Sequence, residues 1–173
     1  MARKYIRRRY YRRKGRWSAN IKTLTEQAIN TASNSSFYGA TDLCSNPVQL
    51  DTTVSQQYTC KNIELSFEIE SSSTNELNIE GLTSYIMFVP QGMIVTETYP
   101  NTHPEYILAY RYIGSPTIDG QQPGRLPVKI KTRMARRLQT GDKIILLVVG
   151  TNTSTDAPVL RFGGLVRWWT KAN

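Results

Sequence analysis

Residues 60–70 read CKNIELSFEIE, and no other stretch constrains the fold as strongly. Ile63, Leu65, Phe67 and Ile69 alternate with Glu64, Ser66, Glu68 and Glu70, which puts one face in a core and the other in water. A period of two excludes a helix, which would scatter those apolar side chains around its circumference. The stretch predicts a half-buried β-strand, and such a strand needs a second layer to cover its apolar face.

Similar signals recur along the chain. Leu82–Val89 (LTSYIMFV) is aromatic and β-branched and is stopped by Pro90-Gln91-Gly92. Only the polar turn Ser71–Glu76 separates it from the first strand, so the two are expected to pair antiparallel. Leu126–Met134 (LPVKIKTRM) alternates again, with Val128, Ile130 and Met134 on one face and Lys129, Lys131 and Arg133 on the other. Arg136 and Arg137 follow, and the five cations would project from one surface. After a turn at Leu138–Asp142, Ile144–Val149 is apolar on both faces and predicts a central strand. It is also the longest apolar run, far short of the roughly 20 residues of a membrane-spanning helix. Val159–Thr170 closes the chain as a last strand, in which Gly163-Gly164 predicts a bulge or kink.

The remaining segments are less regular. Ser18–Ser36 fits a helical face at Ile21, Leu24, Ala28 and Ile29, but its Thr, Asn and Ser favour an extended strand. Phe37–Val54 reads as loop, punctuated by Gly39, Asp42, Asn46-Pro47 and Asp51. Residues 93–124 are too broken by proline and glycine for a long element, with a short helix or strand expected at Glu105–Ile113. The tyrosines of that region point to an interface. Short strands, turn residues between them and no long helix predict an all-β sandwich or barrel.

Charge divides the chain in two. The 173 residues carry 22 Lys+Arg against 13 Asp+Glu, a formal +9. Nine of the cations, Arg3, Lys4, Arg7, Arg8, Arg9, Arg12, Arg13, Lys14 and Arg16, fall within Met1–Trp17, which holds no acidic residue. The rest of the chain is neutral on balance. Residues 1–17 therefore read as an arm and 18–173 as one β-domain, ample for a core. Self-repulsion keeps such an arm extended, and it calls for a polyanion. Tyr5, Tyr10, Tyr11 and Trp17 add flat rings among the guanidiniums, the pairing that stacks unpaired bases while arginines hold phosphates. Ile6 is the only large aliphatic residue there, so no apolar face exists for a membrane surface. A nuclear-import signal is the plainer reading and is compatible with binding. The arm favours nucleic acid, with no membrane partner.

Catalytic chemistry is not in view. His103 is the only histidine, so any Ser-His-Asp or Cys-His arrangement would have to pass through it. No phosphate-cradling glycine motif and no His/Cys cluster with metal-ligand spacing occurs. Glu64, Glu68 and Glu70 share a strand face that alternation alone explains better than a cation site does. Cys44 and Cys60 read as reduced, small packing residues. The expectation is a non-enzyme with no cofactor, no metal and no small-molecule substrate.

Several motifs together resemble the capsid proteins of small circular Rep-encoding single-stranded DNA viruses of circovirus-like type. They are the Arg/Tyr-rich arm, Leu138-x-x-Gly141-Asp142 opening an apolar strand, Tyr85–Gly92 (YIMFVPQG), His103–Ile107 (HPEYI) and the closing Gly164–Asn173 (GLVRWWTKAN). The chain and its arm are shorter than those of the better-known circovirus capsid proteins. The resemblance implies a single jelly roll of eight strands, assembled into a closed icosahedral shell of about sixty copies. It implies arms directed inward onto a packaged single-stranded DNA genome, a virion location, and passage through the host nucleus during assembly. Sixty such arms would supply on the order of 540 positive charges. Subunit contacts are expected from the tyrosine-rich loops of 93–124 and from Trp168 and Trp169, one of which should face the core because neighbours alternate. Two other readings stay open: the capsid of a small RNA or satellite virus, and a monomeric β-barrel that binds single-stranded nucleic acid.

Overall fold

The computed structural model describes residues 16–46, 57–71, 77–118 and 125–172. Its strands are β1 (Ser18–Asn30), β2 (Ser35–Ser45), β3 (Tyr58–Ser71), β4 (Leu77–Val89), β5 (Ile107–Gly114), β6 (Thr117–Ile118), β7 (Leu126–Thr132), β8 (Arg136–Leu138), β9 (Lys143–Asn152) and β10 (Val159–Ala172). One helical turn, α1 (Tyr99–Thr102), and a 3-10 turn at Pro104–Tyr106 lie between β4 and β5.

The strands form two antiparallel sheets, ordered β1-β10-β3-β7 and β2-β9-β4-β5. β8 continues along β3 beyond the end of β7, and β6 continues along β4 beyond β5, so each sheet has four strand lines. The pairings nest outward from the β4–β5 hairpin: β3 with β7, β2 with β9, and β1 with β10. A long folded hairpin rolled in this way is a single eight-stranded jelly roll, closed by the lateral pairs β10–β3 and β9–β4. The all-β sandwich expected from the sequence is present, with the jelly-roll order.

That topology corrects one expectation. β3 and β4, adjacent in sequence, do not pair; they lie in opposite sheets. In a nested roll the partner of β3 comes from the later half of the chain, and proximity in sequence does not decide pairing. A second correction concerns Phe37–Val54, read as loop. Ser35–Ser45 is a strand, because Phe37, Leu43 and Cys44 are buried and β9 supplies a full ladder. Gly39 stands in that strand because a Cβ there would lie 2.4 Å from the Ile29 side chain. The latter part of the expected loop, residues 47–54, lies outside the described residues.

The inward faces interdigitate as the alternation predicted. Ile63, Leu65, Phe67 and Ile69 of β3 meet Leu82, Ile86 and Phe88 of β4, Ile144, Leu146 and Val148 of β9, and Leu160, Phe162 and Val166 of β10. Phe67 and Phe162 pack edge to face at 6.4 Å. Each such side chain contributes about 1.5–3 kcal/mol on burial. Cys44 and Cys60 are free thiols in this core, their sulfurs 3.6 Å apart between the two sheets. On β7 the buried positions are Val128, Ile130 and Thr132; Met134 is past the strand end and exposed, contrary to expectation. β10 runs unbroken through Gly163-Gly164, and the irregularity sits opposite, in β1 between Leu24 and Gln27. Gly164 serves close approach, since a Cβ would fall 2.3 Å from the Ser66 carbonyl oxygen.

β9 is central, as its two apolar faces required. Ile144, Leu146 and Val148 face the main core, while Ile145 and Leu147 join Met87, Val89 and Tyr99 in a second cluster on the far side of the sheet. Met93, Val95, Tyr106 and Ile107 pack against this cluster. Part of the broken region 93–124 is thus a lid over the protein's own sheet. Tyr99, expected at a subunit contact, is 2% exposed and donates a hydrogen bond to the Phe88 carbonyl oxygen at 3.4 Å. Burial, with Tyr106 and Glu105 nearby, pushes its phenol up to about 12. His103 stacks on Tyr106 and packs at a tilt against Tyr99 (ring centroids 5.4 and 4.9 Å apart), with Nδ1 3.4 Å from Glu105.

Candidate nucleic-acid interface

β1 begins at Ser18, immediately after the basic arm, and occupies the edge of the first sheet beside β10. Residues 1–15 lie outside the described residues, and with them Arg3, Lys4, Arg7, Arg8, Arg9, Tyr10, Tyr11, Arg12, Arg13 and Lys14. Arg16 is exposed and Trp17 half-buried, with Lys61 Nζ 3.8 Å from the Trp17 ring centroid.

The outward side chains of this sheet fall into cross-strand rows. Ile21, Arg167, Glu64 and Lys131 form one; Ala19, Trp169 and Lys61 form the next towards the arm; Lys171, Thr59 and Arg137 form the last. Lys129, opposite Ser66, stands on the other side of the first row. Around the root of the arm the sheet therefore presents Lys61, Lys129, Lys131, Arg137, Arg167 and Lys171, with Glu64 as the one carboxylate among these rows. Glu64 pairs with Lys131 at 3.4 Å. Among the described residues, none of the other five cations has a carboxylate within ion-pairing distance. Guanidinium and indole also meet here, with Arg167 4.6 Å from the Trp169 ring centroid.

Further from the arm the same face changes character. Glu68 and Glu70 both reach Arg125, at 3.3 and 3.4 Å, and Glu26 reaches Arg161 at 3.4 Å. The three glutamates of β3 are thus all engaged by cations in exposed pairs, each worth roughly 0–1 kcal/mol.

The five cations predicted on one surface do not all share it. Lys129, Lys131 and Arg137 do. Arg136 turns the other way: strand alternation sends it towards the open end of the sandwich, where its guanidinium lies 4.0 Å from the Phe88 ring centroid and 5.9 Å from that of Tyr106. Arg133 is exposed on the connection after β7. Three basic residues and an indole that the sequence reading did not place on this face, Lys61, Arg167, Lys171 and Trp169, are brought to it. For Arg167, Trp169 and Lys171 the signal was available, as they alternate with core residues Phe162 and Val166. Lys61 was hidden by a bulge at Asn62, whose φ of 51° shifts the strand's phase by one residue. Trp168 packs against the core and Trp169 faces outward, the division that alternation predicted.

The outer face of the second sheet differs. Beyond the lid it displays Tyr38, Tyr85, Tyr110 and Tyr112, with Tyr85 and Tyr110 6.2 Å apart between ring centroids. Tyr110 is 65% and Tyr112 63% exposed.

No protein-family model and no curated protein matches the chain. Among solved structures, a chain titled turnip yellow mosaic virus is similar, with a TM-score of 0.38 and 12% identity, covering 92% of this chain and 94% of that one. A chain titled Desmodium yellow mottle tymovirus gives 0.33 and 13%, covering 90% of each. At these TM-scores the likeness carries no weight of its own, and the jelly-roll assignment stands on the strand order.

Proposed function

We propose that this chain is a viral capsid (coat) protein that assembles into a small closed icosahedral shell and packages single-stranded nucleic acid through its arm. The observation that carries the reading is the continuity of charge. Nine cations precede β1, and the sheet that β1 enters presents five more without carboxylate partners around the same point. A jelly roll can pack laterally against copies of itself, and the exposed tyrosines on the other sheet suit contacts between copies. Arm and basic face then lie on the cargo side of a shell, where each charge releases counterions on meeting a phosphate. Phosphate contacts and stacking do not read sequence, which suits packaging a whole genome.

The resemblance of the closing Gly164–Asn173 to circovirus-like capsid proteins favours single-stranded DNA as cargo and about sixty copies in the shell. On that reading the arm also serves as the signal that carries the protein into the host nucleus. Negative-stain electron microscopy of the purified protein, with absorbance at 260 and 280 nm on the same fraction, tests the proposal. Uniform closed particles with excess absorbance at 260 nm are expected, and nuclease typing of the contents separates DNA from RNA. A small monodisperse species that binds oligonucleotides without forming shells would overturn the capsid reading in favour of a monomeric binding module.

A further inference from the structure

We infer that the outer face of the first sheet holds a stacking site for unpaired nucleobases, built on Trp169 and Trp17 beside the root of the arm. The inference rests on the nucleic-acid reading of the arm and goes beyond it, because it assigns the folded body a contact of its own. Ala19 is opposite Trp169 in the ladder, and Trp17 precedes Ala19 by two residues, so both indoles project to the same side. Lys61, opposite Trp169 on β3, reaches across to the Trp17 ring, while Arg167 lies over Trp169. Both rings are half-buried: held by the sheet, yet open to a partner. The neighbour of Trp169 on β1 is an alanine, which adds only a methyl group beside the ring.

The surroundings select the ligand. Lys61, Arg137, Arg167 and Lys171 stand within two rows of the indoles and have no carboxylate partner among the described residues. Cations at this density beside flat rings match a strand that offers phosphates and base faces together. A duplex offers the phosphates but keeps its base faces stacked inside. A second copy of the chain docked on the same patch by a two-fold axis would set these cations against themselves.

The test uses the full-length chain and a thymidine oligonucleotide carrying 5-iodouracil. After photocrosslinking, mass spectrometry is expected to find adducts on Trp169, more than 150 residues from the arm in sequence. Trp169→Leu should weaken binding of the single strand about tenfold while leaving its salt dependence unchanged, and Trp169→Phe should recover most of the loss. Binding of a duplex of equal length should not change in either variant. Adducts confined to Tyr5, Tyr10 and Tyr11, or equal losses for single strand and duplex, would overturn the inference and leave arm-driven packaging intact. Adducts on Trp169 in a protein that forms no shells would uphold the site while removing the capsid reading.

Discussion

The two outer faces of this sandwich solve the same problem in opposite ways. On the first sheet the outward positions of β3, β7 and β10 are mostly charged or small, so the sheet can meet water directly, and its surplus cations gather beside the arm. On the second sheet the outward positions include Met87, Val89, Ile145 and Leu147, which water would penalise. There the chain folds residues 93–106 back as a cover and leaves tyrosines, apolar but able to hydrogen-bond, at the uncovered end. A sheet face that carries charge is available to a polyanion; one that carries aliphatic side chains must be covered by the chain or by a neighbour.

The sharpest way to break this contrast is to remove charge from the arm. Replacing its nine Arg and Lys by Gln should lower affinity for single-stranded nucleic acid by about a thousandfold at moderate salt. The β-sheet circular dichroism of the body should be unchanged. Retained uptake at wild-type level would place binding elsewhere. Next in size is the cover of the second sheet: Tyr99→Ala should cost about 3–5 kcal/mol in denaturant unfolding, since it empties the middle of the outer cluster. A loss below about 1 kcal/mol would mean that the cover is dispensable.

A smaller effect tests the first face alone. Lys61→Gln, Lys129→Gln and Arg137→Gln together should reduce the slope of log affinity against log salt by about 2. They should leave the melting temperature in place, since none of the three has an ion-pair partner among the described residues. An unchanged slope would return them to an ordinary solvated surface. The smallest effect concerns pH. The Tyr99 phenol keeps its proton in the folded protein up to about pH 12, against 10.0 for an ordinary tyrosine. The unfolded chain therefore ionises first, and the stability Tyr99 contributes is full below pH 10 and lost as pH rises towards 12. Tyr99→Phe should unfold with a shallower alkaline slope than the parent protein. Tyr58, pushed up mainly by burial and then by Cys44, titrates in both forms and cancels in the difference.

Strand positions were legible wherever one face was apolar and the other polar, as in β3 and β7, and where both were apolar, as in β9. β2 was not, because its buried residues, Phe37, Leu43 and Cys44, are spaced irregularly around a bulge between Asp42 and Cys44 and are diluted by Gly39. The cluster of nine cations ahead of β1 was legible from charge alone, and the shared face of Lys129, Lys131 and Arg137 from alternation. Arg136 was misplaced because two neighbouring strand residues cannot share a face: Arg137 takes the outward position, and the same alternation turns the Arg136 guanidinium onto Phe88.

By itself, then, the sequence determined an all-β body, a basic stretch ahead of it and the inward face of most strands, because these depend on composition and on a local period of two. Only the tertiary structure decided which strands pair and which cations become neighbours. Lys61, Trp169 and Trp17 meet although more than 100 residues separate Lys61 from Trp169, since the nested roll aligns opposite halves of the chain. Long-range pairing of this kind is settled by the joint burial of two sheet faces, and no window of neighbouring residues contains it.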